Sequence, residues 1–171
     1  GCHPMAGSEK MGYEHARADL FEGASVIITP HARNRGDDVR AVAGFWERMG
    51  AVTTVVSPGD HDLIAAYTSH LPHMLASSLV RVFDEFAKRS GSPDIGPFIG
   101  RGFRDTTRVS SGSPDMWRDI AIHNRANLVA ALERMIAELG RLKGLLADDD
   151  PGARAVHEYL VGAKATRDGI A

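Results

Sequence analysis

The hydrophobic pattern of this chain changes character near residue 57. Before that point two short β-branched runs stand out: Ser25-Val26-Ile27-Ile28-Thr29, stopped by Pro30, and the stretch from Val52 to Val56. Both read as strands. Between them Val39, Val42, Phe45, Trp46 and Met49 recur at helical spacing, and Gly50 is the expected stop. Strand, amphipathic helix and strand form a βαβ unit, whose crossover makes the two strands parallel. Residues 1–23, punctuated by glycines at 1, 7, 12 and 23, read as loop and short helix.

After Val56 the period is helical. Ser57-Pro58-Gly59-Asp60 is a helix start, with Ser57 as N-cap and Pro58 at the first position. Leu63, Ile64, Tyr67, Leu71, Met74, Leu75, Leu79, Val82, Phe83 and Phe86 then mark one long apolar face, with a kink expected near Pro72. Residues 90–101 read as a Gly/Pro-rich loop. Ser113-Pro114-Asp115 opens the next helix in the same way, and Trp117, Ala121, Asn124, Leu128, Ala131, Met135, Leu139, Leu142 and Leu146 follow at spacings of three and four. Unbroken, this helix would be roughly 50 Å long. A stripe of that length needs a partner along it, either a second subunit or the rest of the chain. Asp148-Asp149-Asp150-Pro151-Gly152 reads as a loop, with a final short helix from about Ala153.

Composition narrows the class without naming a function. Of the 171 residues 43% are hydrophobic and 25% charged, an ordinary globular balance. A net charge of -2 argues against a nucleic-acid binder. No apolar run approaches the ~20 residues that span a bilayer, and there is no signal-peptide pattern. The single cysteine, Cys2, excludes an internal disulfide and fits a cytoplasmic protein. Two parallel strands do not make a stable sheet, because such sheets need more neighbours and cover on both faces. The two runs therefore read as the edge of a larger sheet whose other strands lie upstream of Gly1. The expected organisation is a segment 1–57 carrying that edge and a helical domain 58–171.

Several polar groups can carry chemistry. His3, beside Pro4 in a polar segment, has a neutral imidazole suited to accepting a proton near pH 7. His70 and His73 are spaced to share a helix face; they can line a pocket, satisfy a hydrogen bond in the core, or ligate a metal. Two histidines without a nearby carboxylate are a weak zinc signal, and no metal is expected. Arg104, Asp105 and Arg108 lie together in Gly102-Phe103-Arg104-Asp105-Thr106-Thr107-Arg108. An arginine fork there can hold a carboxylate, or pair on the surface with Asp105 or Asp115. Trp117 either closes a pocket or begins the core stripe.

Three motifs, His3-Pro4-Met5-Ala6-Gly7 with Ser8-Glu9-Lys10, Ser69-His70-Leu71-Pro72-His73, and the arginine motif at 102–108, resemble in order and spacing the prephenate/arogenate dehydrogenase family of tyrosine biosynthesis. The resemblance runs nearly end to end. It implies a mostly α chain: an edge βαβ remnant of a Rossmann-like nucleotide-binding domain, followed by an all-helical domain for substrate binding and dimerisation. It makes His3 the base that takes the ring hydroxyl proton, Arg108 the anchor of a substrate carboxylate, Arg104 and Asp105 its neighbours, and Glu9, His70, His73 and Trp117 substrate-side groups. The implied cofactor is NAD or NADP, the substrate prephenate or arogenate, and the assembly a homodimer. The Gly-rich phosphate loop G-x-G-x-x-G does not occur in these residues, so the resemblance covers the substrate half. A non-catalytic dimerising module that binds tyrosine or prephenate, and a metal protein using His70 and His73, are the readings from other classes.

Overall fold

The computed structural model describes residues 1–6, 12–91, 95–147 and 152–170. Glu9 and most of the loop at 148–152 lie outside the described residues. The described chain is mostly helical, with a small sheet at its start. By compactness it divides into Gly1–Leu128 and Val129–Ala171.

The first unit begins with a three-stranded sheet in the order β1-β2-β3: Cys2–Pro4, Ser25–Ile28 and Val52–Val55. β2 and β3 pair in parallel, Val26 opposite Thr53 and Ile28 opposite Val55. Helix α1, Gly36–Glu47, is their crossover, and Asp37 and Asp38 in its first turn complement the positive end of its dipole. Val26, Ile28 and Ala51 form the buried core of this layer, covered by Phe21, Val39, Ala43 and Trp46. The parallel βαβ unit is the one the hydrophobic pattern predicts.

β1 is a departure from that pattern. Its three residues run antiparallel to β2, with Cys2 opposite Ile28, His3 opposite Ile27 and Pro4 opposite Val26. A proline in so short a run argues against a strand. Here β2's free edge supplies the pairing: the Met5 amide donates to the Ser25 carbonyl at 2.7 Å, and the Thr29 amide donates to the Gly1 carbonyl at 2.9 Å. His3 thus sits on a strand rather than in a loop.

The long face after Val56 is realised in three pieces. Helix α2, Pro58–Ala65, starts under Ser57, whose Oγ accepts the Asp60 amide at 3.0 Å. A single π-helical turn, Ala66–His70, follows, and helix α3 spans Leu71–Ser90. The expected kink is this wide turn. Pro72 has no N–H to give the Thr68 carbonyl, and its ring needs room there. The Leu71 amide reaches back five residues to the Ala66 carbonyl instead, a π-bulge. The small side chains of Ala65, Ala66 and Ala76 are buried near this turn, together with Leu71 and His73.

The arginine motif, unassigned by periodicity, forms helix α4, Arg101–Thr107, tightening into a 3₁₀ turn at Arg108–Ser111. Phe103 packs its ring 4.8 Å from that of Phe83 on α3, and Thr107, one turn on, is buried. Helix α5 spans Pro114–His123 and α6 spans Arg125–Ala147. The helix expected to run unbroken from 113 to 146 is therefore interrupted at Asn124, whose ψ of 29° leaves the helical range. No glycine or proline marks the spot.

The second unit comprises the later part of α6 and helix α7, Gly152–Asp168. The Arg141 guanidinium lies 4.7 Å over the Tyr159 ring and is also paired with Glu138 at 2.9 Å. Ile136, Leu139, Leu146, Leu160 and Val161 are each more than half exposed. No helix among the described residues is long and apolar enough to cross a membrane.

Candidate active site

A cavity of about 820 Å³ opens in the first unit, between the end of β1, the start of α2, the π turn, the 3₁₀ turn after α4, and α5. His3, His70, Arg108 and Trp117 line it, together with His61, Asp62, His123 and Asn124. Among the described residues no group of three His, Cys, Asp or Glu is arranged to hold a metal ion.

Each lining group has an identifiable hold. His3 is fixed by the β1–β2 pairing, and its Nδ1 lies 2.9 Å from Nε2 of His61. His61, in the first turns of α2, has its own Nδ1 2.9 Å from Oδ1 of Asp62. A carboxylate only accepts, so His61 Nδ1 carries the hydrogen and, in the neutral ring, Nε2 is the acceptor. The His3 Nδ1–H then donates to it, which leaves His3 Nε2 with a bare lone pair. The contact with His61 selects this tautomer without any assumption about substrate.

Asn124 explains the break between α5 and α6. Its side chain is buried; Nδ2 donates to the Asp62 carbonyl at 2.6 Å and lies 3.2 Å from His70 Nδ1, while Oδ1 accepts from Asn127 Nδ2 at 2.8 Å. Both amide hydrogens and the carbonyl oxygen are used, as a buried amide requires. Because Asn124 donates to it, His70 Nδ1 is an acceptor, and the neutral ring keeps its hydrogen on Nε2. His70 is thus a donor where His3 is an acceptor.

The electrostatics favour neutral rings. His3 is held below the usual histidine range by burial and then by His61. His70 is lowered by burial and by His3 and His61, with Asp62 opposing. His73 is lowered by burial alone. Desolvation penalises the charged imidazolium, so all three are unprotonated at neutral pH.

His73 stands behind the cavity rather than in its wall. It is 5% exposed, and its ring stacks on Trp117 with centroids 3.6 Å apart and planes 11° from parallel. Its Nδ1 has no hydrogen-bond partner among the described residues. Gly112 completes this wall by close approach: a Cβ there would lie 2.6 Å from Trp117 Nε1 and 3.5 Å from His73 Cε1. The indole therefore lies flat only because residue 112 has no side chain.

The arginine motif is divided. Arg108 reaches the cavity from the 3₁₀ turn. Arg104 and Asp105 are exposed on α4 and are not among the lining residues; Arg104 Nε donates instead to the Ile99 carbonyl at 3.3 Å. Phe103 and Thr107 point α4's inner face toward the core, which leaves 104 and 105 on the outer one. Sequence reasoning missed His61, Asp62 and Asn124. Asn124 had a visible signal, a polar residue at an inward position of an apolar stripe. His61 had none: nine residues from His70, it lies about half a turn out of phase on a regular α-helix, and only the wide π turn lets both face one cavity.

Residues 1–55 match the family model described as "Prephenate dehydrogenase, nucleotide-binding domain", and residues 57–161 match "Prephenate dehydrogenase, dimerization domain". The cyclohexadienyl dehydrogenase of Zymomonas mobilis is 36% identical over 148 residues, 86% of this chain and 50% of the relative. The prephenate dehydrogenase of Bacillus subtilis is 35% identical over 170 residues, 99% of this chain and 45% of the relative. Among solved structures, Aquifex aeolicus prephenate dehydrogenase in complex with hydroxyphenyl propionate and NAD+ superposes with a TM-score of 0.87 at 36% identity, covering 100% of this chain and 58% of that one. Synechocystis arogenate dehydrogenase gives 0.81 at 26% identity, covering 100% and 61%. The chain spans about half the length of the curated relatives it matches. With two adjoining family models accounting for nearly all of it, the chain belongs to the prephenate dehydrogenase family.

Proposed function

We propose that the natural full-length protein is an NAD(P)-dependent dehydrogenase that oxidatively decarboxylates prephenate, and that this chain supplies its substrate side. The observation that carries this reading is the pairing, in one cavity, of a bare His3 Nε2 with the Arg108 guanidinium. A hydroxyl proton has an acceptor there, and a carboxylate has a cation.

The division of labour follows from the residues. Arg108 holds a substrate carboxylate, and the Nε2–H of His70 offers a neutral donor to a second polar group. Trp117, backed by His73, gives a flat apolar wall for a six-membered ring. With the substrate so held, His3 Nε2 takes the ring hydroxyl proton, and loss of carbon dioxide completes aromatisation to 4-hydroxyphenylpyruvate. A bound nicotinamide supplies the hydride acceptor. The phosphate cradle for it is not among these residues, so their own contribution is positioning and proton transfer. Glu9 is proposed as a further substrate-side group on the family motif alone. Segment 1–57 belongs, in this reading, to the nucleotide-binding side, and 58–171 to a substrate and dimerisation domain. The exposed Ile136, Leu139, Leu146, Leu160 and Val161 suit burial against a second copy.

Arogenate is the second substrate reading, supported by the likeness to the Synechocystis enzyme; its product would be tyrosine. The test is direct. The full-length protein is incubated with prephenate or arogenate and NAD+ or NADP+, and reduced nicotinamide is followed by absorbance. Turnover of either acid supports the reading and assigns the substrate; oxidation of neither overturns it. Arg108→Ala should raise the apparent Kd for the acid by about 2–5 kcal/mol, with the fold intact by circular dichroism.

A further inference from the structure

The cavity holds one chain of titratable groups longer than a single base requires: His3 on β1, His61 on α2, and Asp62 beside it, joined by contacts of 2.9 Å each. Exposure rises along it. The His61 side chain is 22% exposed and that of Asp62 is 55% exposed. The buried end therefore faces the substrate space, and the carboxylate end meets solvent. We propose that His61, oriented by Asp62, is a positioning residue that fixes the reactive tautomer of His3 and then takes over its second proton, moving positive charge from the buried ring toward the solvent-facing end of the chain. This rests on the reading of His3 as the proton acceptor.

The step balances without any further reactant. The substrate O–H breaks and its proton bonds to His3 Nε2. The His3 Nδ1–H bond breaks, and that proton bonds to His61 Nε2. Positive charge has then moved from His3 to His61, whose Nδ1–H still donates to the Asp62 carboxylate. Once carbon dioxide has left, the product oxygen takes the Nε2 proton back from His3 as the Nε2 proton of His61 returns to His3 Nδ1, which restores the starting state and gives the product its phenolic hydroxyl.

Three features favour this over a spacer role for His61. Burial makes a lone imidazolium at His3 unfavourable. The carboxylate is placed beyond His61, where it stabilises a cation there rather than on His3. The remaining titratable groups lining the cavity are His70 on the π turn, His123 on α5 and the Arg108 cation. None of them contributes a second carboxylate.

The test uses two measurements on the full-length protein. First, ¹⁵N NMR of the imidazoles near neutral pH should find His3 protonated on Nδ1, and should find it switched to Nε2–H in His61→Leu, which removes the acceptor. His3 carrying its hydrogen on Nε2 in the unaltered protein overturns the proposal. Second, His61→Gln keeps an acceptor for the His3 N–H but cannot carry a proton. It should lower kcat by roughly 10-fold, less than loss of the base itself, leave KM within about twofold, and move the acid limb of the kcat profile. Asp62→Asn should do the same more weakly, and guards against a His61 variant that fails to fold. Unchanged kcat and pH profile in both overturn the relay. If the unaltered protein oxidises neither prephenate nor arogenate, the functional reading fails, while the tautomer measurement still decides whether His61 positions His3.

Discussion

The cavity of the first compact unit and the helices of the second use polar side chains in opposite ways. In Gly1–Leu128 the polar contacts that build the cavity join residues 58, 62 and 54 positions apart, and each is at least partly buried. In Val129–Ala171 the ion pairs join residues three or four apart on one helix, with every partner exposed. A distant contact exists only because the fold brings its ends together, and a buried donor left unmatched is costly. A neighbouring pair on an exposed helix forms whether or not the helix does anything. The first kind therefore marks a site; the second marks a solvated surface.

The sharpest way to break this contrast is at its functional end. His3→Asn in the full-length protein removes the only group in the chain proposed to receive the substrate proton. Turnover should fall on the order of 10²- to 10⁴-fold, with KM little changed, because the loss is felt in the transition state. Steady-state kinetics decide it, and a variant with ordinary kcat removes His3 from the mechanism.

Next in size is Asn124→Ala. Truncation leaves His70 Nδ1 and Asn127 Nδ2 without the partners they have now. A loss of roughly 1–3 kcal/mol is expected, read from the denaturation midpoint. Stability equal to the unaltered protein would mean that the break between α5 and α6 does not depend on this side chain. Gly112→Ala should cost a similar ~1–3 kcal/mol by overpacking. Its φ of -63° makes the backbone indifferent to the change, so the whole effect comes from displacing Trp117. Because the chain has two tryptophans, fluorescence measured against a Trp46→Phe background isolates that displacement.

The same contrast shows what could be read in advance. The βαβ order, the Ser57 and Ser113 caps and the helical character after Val56 were legible because each depends on local periodicity or on one cap residue. β1, the π turn and the break at Asn124 were not. β1 takes its conformation from β2's edge, and Asn124 takes its own from groups more than 50 positions away. The site divides along the same line. His3, His70, Arg108 and Trp117 sit in quotable motifs, whereas His61 and Asp62 join them only through a turn whose width no propensity encodes. Arg104 and Asp105 show the converse: shared motif membership did not place them on the cavity face.

Acid provides a subtler probe. His3, His70 and His73 all have folded-state values below 6.5, so between those values and 6.5 the unfolded chain binds more protons than the folded one. Stability contributed by the neutral rings is complete above pH 6.5 and declines as pH falls through that window. Melting temperature followed from pH 7.5 downward should therefore drop below 6.5, before carboxylates titrate. Replacing His73, which has burial as its one cause, with Phe should flatten part of that drop. An unaltered pH dependence in that variant would mean the ring is not held neutral by its surroundings.

The smallest expected effect tests the other side of the comparison. On α7, Arg154 pairs with Glu158 and Lys164 with Asp168, in both cases with the base on the N-terminal side. For pairs four apart that is the weaker orientation, since acid-first order agrees with the helix dipole and base-first order opposes it. α3 has the stronger arrangement, Asp84 before Lys88. Arg154 also stands in the first turn of α7, which begins at Gly152, where a cation meets the positive end. Removing the pair with Arg154→Ala should therefore leave the melting temperature unchanged within error. Exchanging the two, Arg154→Glu with Glu158→Arg, should raise it slightly at low salt, and the gain should vanish once the Debye length falls to ~3 Å near 1 M salt. A clear loss on exchange would mean that this pair belongs with the buried, distant contacts of the first unit rather than with the solvated ones.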